Sequence, residues 1–416
     1  MSLKPFGQAA MALGATFFAF AGGFVLKDFM DGDAPDFGRM VALIAPQGAK
    51  KPPSEVFREH YANIGARYHR KTEKDQLKYA AMQGMFSSLG DPHTSFLEPV
   101  TAEQFALENE GGFVGIGARL DDDPLGTKIM SVFDGSPAQR AGVEAGDIIV
   151  AVDGQSVAGL PSSSIVSQIR GEEGTVVSLT VLRKGEKKVL RVRRGRVTIP
   201  TVEGKMVPNT SIGYMSITQF SETTPGQFRE LMDKLMSQGL KGLVIDVRSN
   251  PGGVLESVSE MIGSFRAGTT VVTMKGREGA TKKESAPAGF ELGWHGPIAV
   301  VMNEESASAA EIMAGVLQEL EKATLVGHHS YGKASVQNVF TLFDGASAKI
   351  TTAKYYLPSG RDISRKVDPD GAYLSGGLPA DVEVDLAINE NTRFGEPGRD
   401  SQLDKAIEIL KQKLGE

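Results

Sequence analysis

"LKGLVIDVRSNPGG", residues 240–253, decides the fold class. The apolar run 243–247 reads as a buried strand, and the turn after it opens a helical spacing of Leu255, Val258, Met261, Ile262 and Phe265. "GPIAVVMNEESASAAEIMAGVLQEL", residues 296–320, repeats the scheme with a strand at 298–302, a polar turn, and a helix that keeps Ile312, Val316, Leu317 and Leu320 inside. Two strand–turn–helix units predict an α/β core and supply two helix N-termini. Further strands are expected near 339–342 and 348–356, and the tail from Ser401 reads as a separate amphipathic helix with Leu403, Ile407 and Leu410 on one face.

Upstream the texture differs. Residues 54–89 have helical spacing, with Val56, Tyr61, Ile64, Tyr68, Leu77, Ala81 and Met85 as the apolar positions, and end at the breaker cluster "GDPH". That predicts a small helical region suited to packing or self-association. From about residue 98 the chain turns to short β-runs punctuated by glycine, with Asp153-Gly154 and Lys184-Gly185 as hairpin turns and a short helix over 165–169. This order of elements resembles a PDZ domain, and "SPAQRAGVEAGDIIVAVDG", residues 136–154, matches that pattern nearly throughout. Gly115, Ile116, Gly117 and Ala118 fall at the carboxylate-binding loop, where glycine lets successive amides converge on a peptide's terminal carboxylate while its chain adds to a sheet edge.

A chain of 416 residues exceeds what one core supports. The net charge of −6 offers no broad attraction for nucleic acid, and the one dense basic stretch, 183–196, reads as a hairpin with a solvated cationic face. The absence of cysteine removes disulfides, thiolate nucleophiles and Cys-ligated zinc. Lys4 precedes an uncharged run over 9–26, which fits a secretory signal with an A-x-A site at Ala19 to Ala21, or an uncleaved membrane anchor. Either predicts an exported chain.

"VGHHSYGKASVQ", residues 326–337, contains the P-loop spacing G-x-x-x-x-G-K. Ala334 stands where a hydroxyl should hold magnesium, and the residues after Lys333 look extended rather than helical, so the phosphate-cradle reading fails. Ser308 begins "SAAE", a capping box, but a serine at a strand-to-helix turn also places a developing oxyanion beside unpaired amides. The amides of Ala309 and of the Gly252-Gly253 turn are natural donors. A base could come from His328 or His329, or from Lys333 if burial holds its amine neutral. Gln337 could then orient that amine without adding charge.

"DVRSNPGG", "NEESASAAEIMAGVLQ", "GHHSYGKASVQ" and "TTAKYYLPSGRDIS", in this order behind a PDZ-like segment, closely resemble the carboxyl-terminal processing proteases, a serine-peptidase family with a Ser-Lys dyad. The resemblance covers roughly residue 37 to the end. It implies Ser308 as nucleophile, Lys333 as general base, Gln337 as the orienting group, and amides of Ala309, Gly252 and Gly253 as the oxyanion hole. It also implies an α/β core of the ClpP/crotonase kind with an inserted PDZ domain between helical N- and C-terminal regions. The expected layout is an export segment over 1–30, helices over 31–97, the PDZ domain over 98–195, the protease core over 196–390 and a terminal helix over 391–416. No metal or other cofactor is implied. Two departures stand out: Ala334 replaces a frequent family glycine, and His328-His329 occupies a loop usually more acidic or polar. Glu311 also fits a family position, though capping alone accounts for it. Arg170 matches a family arginine that could report docking of the PDZ domain, or it is a solvated arginine at a helix end. The expected partners are polypeptides with accessible C-termini, an adaptor protein and a second copy of the chain, in the periplasm. The rival from another class is a catalytically silent peptide-binding scaffold.

Overall fold

A computed structural model describes residues 51–70, 73–342, 344–386 and 392–416. The export segment expected over 1–30 lies outside them, and no helix among the described residues is long and apolar enough to cross a membrane. The chain divides into two units, residues 1–80 and 81–416.

In the first unit the helical spacing forms the helix Pro53–Arg67 and the start of a second, Lys74–Ser87. No residue of Pro53–Arg67 is buried, and Val56, Ile64 and Tyr68 are exposed. The expected helical region thus forms, and the apolar stripe of Pro53–Arg67 stays uncovered among the described residues.

The second unit is built on a six-stranded sheet in the order Val202–Met206, Ile212–Ile217, Gly242–Asp246, Ile298–Met302, Ala323–Gly327, Val382–Glu383. Its first pair is antiparallel and the rest are parallel. Every residue of Gly242–Asp246 and Ile298–Met302 is buried, as parallel strands covered on both faces require. Alternate side chains divide between the faces. Leu243, Ile245, Ile298, Val300 and Met302 pack in one core with residues of the helices Thr224–Ser237, Leu255–Phe265 and Ala309–Glu319. Val244, Ala299, Val301 and Val326 pack with Leu403, Ala406, Ile407 and Leu410. The C-terminal helix, Ser401–Leu414, is thus the second cover of the sheet rather than the separate element that its sequence suggested.

One buried cation fixes that cover. Arg248, just past the strand Gly242–Asp246, meets Asp246 and Asp400 at 2.6 Å each and donates to Gln402 at 3.0 Å. Asp400 also caps the C-terminal helix, accepting from the Leu403 amide at 3.1 Å. Burial alone would raise the Asp400 carboxyl, but the Arg248 guanidinium holds it below the usual carboxylate value.

A second sheet carries part of the site. Ser347–Tyr356 pairs along its length with Ser335–Thr341, and its other edge takes Ser95–Leu97 and Thr270–Gly276. The hairpin starts at Ser335, earlier than the sequence suggested, so Gln337 stands in a strand.

Between Ser95–Leu97 and Val202–Met206 lies a domain with its own core, which includes Ile129, Ile149, Ile165, Val177 and Val192. Its antiparallel strands run in the order Ala118–Asp123, Gly126–Val132, Ile148–Val152, Val176–Arg183, Glu186–Arg193. Both predicted hairpin turns have positive φ at their two central residues, 48° and 80° at Asp153-Gly154 and 51° and 87° at Lys184-Gly185. The entering strand Gly112–Gly115 pairs antiparallel with the leaving strand Gly195–Thr198, so the domain is inserted on a two-stranded ribbon. The basic stretch 183–196 is not uniformly solvated. Arg183 pairs with Asp147 and Glu144 at 2.6 Å each, and buried Arg194 donates to the Ile169 carbonyl at 2.7 Å, capping the helix Ser162–Ile169. Lys187, Lys188, Arg191, Arg193 and Arg196 remain exposed.

Replacing Arg248 strands two buried carboxylates. Arg248→Met should lower the unfolding free energy at pH 7 by about 3–5 kcal/mol, measured by urea titration. The folded-state value of Asp400 is depressed, so the pair's contribution is present above the unfolded carboxyl value and lost as pH falls through the folded one. The deficit of the variant should therefore narrow in acid.

Candidate active site

Ser308 caps the helix Ala309–Glu319 with φ 56° and ψ −116°, a conformation that costs a non-glycine residue about 1–3 kcal/mol. A polar turn between a buried strand and a helix forces this bend and lifts the serine to the end of the sheet, the geometry of a nucleophile elbow. Ala309, the first helical residue, has no turn before it, and its amide finds no acceptor among the described residues.

The facing turn, residues 249–253, is held by Asn250. Its carbonyl accepts from the Ala307 amide at 2.9 Å and its side chain donates to the Ile217 carbonyl at 2.7 Å. The Asn250 Oδ1 also accepts from the Gly252 amide at 2.8 Å. Gly252 is therefore not a free donor, which corrects the oxyanion-hole expectation for that residue. Its part is steric: φ is 98°, and a Cβ would stand 2.6 Å from Ser308 Cβ and 2.8 Å from the Ala309 nitrogen. The Gly253 amide is free among the described residues, because the Phe220 backbone bonds on either side of it, to the Gly252 carbonyl and from the Val254 amide.

Glu311 joins Ser308 to Lys333. Its buried carboxylate accepts from the Ser308 amide at 2.8 Å, the Ser330 hydroxyl at 2.6 Å, the Gly332 amide at 2.6 Å and the Lys333 amide at 2.9 Å. The capping box expected from the sequence supplies only the first of these. Burial pushes the Glu311 carboxyl up, and the four donors oppose that. Tyr355, also buried, adds a second tie, donating to the Lys333 carbonyl at 2.6 Å with the Ser308 carbonyl at 3.4 Å.

Ser308, Ala309, Gly253, Lys333 and Gln337 line one cleft of about 630 Å³. Burial, and then the positive charge of Lys349, hold the Lys333 amine below the ordinary lysine value, against the pull of Glu311 and Asp91. Gln337 donates its amide nitrogen to Ser335 Oγ at 2.8 Å and Thr351 Oγ1 at 3.1 Å, which leaves its carbonyl oxygen as the free end. No phosphate cradle forms, since Lys333 leads into the strand Ser335–Thr341.

The histidines that looked nearest in sequence lie elsewhere. His328 sits 3.3 Å from Asp385, and His329 stacks on Tyr373 at 4.1 Å. The one whose charge couples to Lys333 is His93, from the cluster read only as a helix breaker. Pairing of Ser95 with Lys349 brings it there, a contact across the chain that no local pattern reports.

In the inserted domain Gly117 has φ 80°, and the carbonyls of Ile116 and Gly117 accept from Ala138 and Phe133 at 2.7 and 3.0 Å. The amides of Ile116 and Gly117 find no acceptor among the described residues, as a carboxylate-binding loop needs, and Ala118 begins the adjoining strand. Arg170 ends the helix Ser162–Ile169 and makes no ion pair among the described residues; the buried guanidinium there is that of Arg194. Gly252→Ala should leave the circular dichroism unchanged but cut kcat/KM about 100-fold or more, because the added methyl displaces Ser308.

The Peptidase family S41 pattern matches residues 211–373, and a PDZ domain pattern matches 128–183. The carboxy-terminal processing protease CtpB of Bacillus subtilis is 32% identical over 395 residues, 92% of this chain and 82% of that protein. CtpA of the same organism is 34% identical over 344 residues, 78% of this chain and 73% of its own length. Among solved structures, the photosystem II D1 C-terminal processing protease shares 26% identity over 78% of this chain and 85% of its own, with a TM-score of 0.44. Identity on this scale, spread over nearly the whole chain, makes the protein a member of peptidase family S41, a serine-type carboxy-terminal processing protease with a PDZ domain.

Proposed function

We propose that the protein is an exported endopeptidase that takes polypeptide C-termini on its PDZ domain and cuts near them through a Ser308–Lys333 dyad. The observation that carries this is the shared anchor: the backbone amides of Ser308 and Lys333 bind one buried carboxylate, Glu311, beside one cleft. Neutral Lys333 takes the Ser308 proton as Oγ attacks the scissile carbonyl. The amides of Ala309 and Gly253 hold the tetrahedral oxyanion. Lys333 returns the proton to the leaving amine, and water, deprotonated by the same lysine, releases the acyl group. Gln337 accepts from the amine without adding a charge that would favour ammonium.

The free amides of Ile116 and Gly117 support capture of a terminal carboxylate. The uncharged run over 9–26 supports export to the periplasm, by a cleaved signal or a retained anchor, which N-terminal sequencing of the mature protein distinguishes. A homodimer and an adaptor are the expected partners, tested by sedimentation and by pull-down with the Ser308→Ala variant.

Casein serves as an unfolded substrate. Ser308→Ala and Lys333→Ala should each lower cleavage about 1,000-fold or more without loss of folding; cleavage that survives Lys333→Ala would sink the dyad. Because the base must be neutral, kcat/KM should rise with pH through a limb below the ordinary lysine value. Lys349→Gln removes a cation that depresses Lys333, so that limb should move to higher pH.

A further inference from the structure

We propose that the cavity between the helix Pro137–Arg140 and the strand Glu186–Arg193 of the inserted domain is a docking site for an acidic polypeptide segment of a partner protein. Arg140, Arg191, Arg193 and Arg194 line it, and the single carboxylate in the lining belongs to Glu173. Its volume is about 410 Å³, in the range that holds part of a chain rather than one ion. The site is separate from the dyad and from the loop that receives C-termini, and it stands or falls independently of both.

What marks the cavity is positive charge that is fixed in place without being neutralised. Buried Arg194 donates to the Ile169 carbonyl at 2.7 Å and to Thr175 Oγ1 at 2.9 Å. Arg193 donates to the Gly174 carbonyl at 2.9 Å, and Arg140 donates to the Gly135 carbonyl. All of these acceptors are neutral. Arg191 is exposed and has neither a hydrogen bond nor an ion pair among the described residues. At the other end of the same hairpin the pattern is the opposite, because Arg183 is matched by Asp147 and Glu144 at 2.6 Å each. A bond to a carbonyl aims a guanidinium but leaves its charge whole, and each guanidinium has five N–H groups of which only one or two are used here. Like charges held this close repel, and an anionic ligand relieves that repulsion.

The geometry favours a polypeptide over other anions. Guanidinium forks take carboxylate oxygens two at a time, in bonds stronger than those between neutral groups. Arg194 is buried within the lining, so a flat lipid surface does not reach it, whereas a chain that inserts acidic side chains does. A lone phosphate would leave most of the cavity empty. The cavity also stands behind the carboxylate loop: Gly195 of the lining pairs with Gly115, and Ala138 of the same short helix donates to the Ile116 carbonyl at 2.7 Å. Ile116 and Gly117 are not part of the lining, so a partner seated here does not compete for their amides.

The test uses the full-length chain carrying Ser308→Ala, so that nothing is cut, and a fluorescein-labelled decaglutamate peptide. The peptide's C-terminus is amidated, which gives the carboxylate loop nothing to hold. Fluorescence anisotropy should show saturable binding that weakens as salt rises. Arg191→Glu should weaken it about 10- to 100-fold, the loss of a charge-assisted bond. Lys187→Glu makes the same charge change on the same strand outside the cavity and should weaken binding no more than about 5-fold. Equal losses from the two variants would mean a diffuse field rather than a site, and absence of saturable binding would refute the site outright. Inorganic phosphate that binds as tightly as the peptide would overturn the polypeptide assignment, as would phosphatidylglycerol vesicles that bind through Arg191 when the peptide does not. Arg191 holds nothing else in the chain, and circular dichroism checks that its variant folds; should Arg191→Glu fail to fold, Arg191→Gln decides the question in the same assay.

Discussion

Four donors converge on the buried carboxylate of Glu311, and the site is organised around that convergence. A carboxylate taken out of water costs several kcal/mol unless every lone pair is used. Here the donors come from the serine at the helix start and from Ser330, Gly332 and Lys333 in the segment leading to the hairpin. The first turn of the helix Ala309–Glu319 also favours negative charge. Two segments with no ladder between them are thereby fixed in mutual position. Because the bonds go to the main chain of Ser308 and Lys333, their side chains stay free for chemistry.

The frame around this anchor explains how strain at Ser308 is tolerated. The strands before the two turns are buried throughout, and the parallel ladder between them sets the turns side by side. Asn250 then draws its turn against Ala307 until only a glycine at 252 fits beside the serine. Arg248 closes the same corner from behind by holding the C-terminal helix to the strand end. The bend at Ser308 is surrounded by structure that leaves it no relaxed alternative.

Much of this was legible in the sequence, for a physical reason. Strand and helix periods are local, so the two strand–turn–helix units, both type I′ hairpins and the helix Ser401–Leu414 could be read directly. The family resemblance implies Ser308, Lys333 and Gln337, and the structure gathers them in one cleft. What local pattern missed depends on tertiary pairing. The apolar face of the last helix was visible, but not that Val244, Ala299 and Val301 needed it as a cover. Glycine at 252 suggested a free amide, yet Asn250 takes it. His93 and Asp91 looked like punctuation, and Tyr355 like one more strand residue, until the second sheet carried them to the lysine.

The paired ribbon at the base of the inserted domain has a consequence for how the molecule assembles. Ser95–Leu97 must find Ser347–Tyr356 across the whole intervening chain, and closing so long a loop costs entropy that grows as the logarithm of its length. Once the inserted domain has formed its own core, the ribbon brings Gly112–Gly115 and Gly195–Thr198 side by side, and the segment between them no longer counts as slack. Each halving of the effective loop is worth only about 0.6 kcal/mol, but it shortens the search that delivers Asp91 and His93 to the lysine. The inserted PDZ domain thus also acts as a splint for the polypeptide that completes the second sheet.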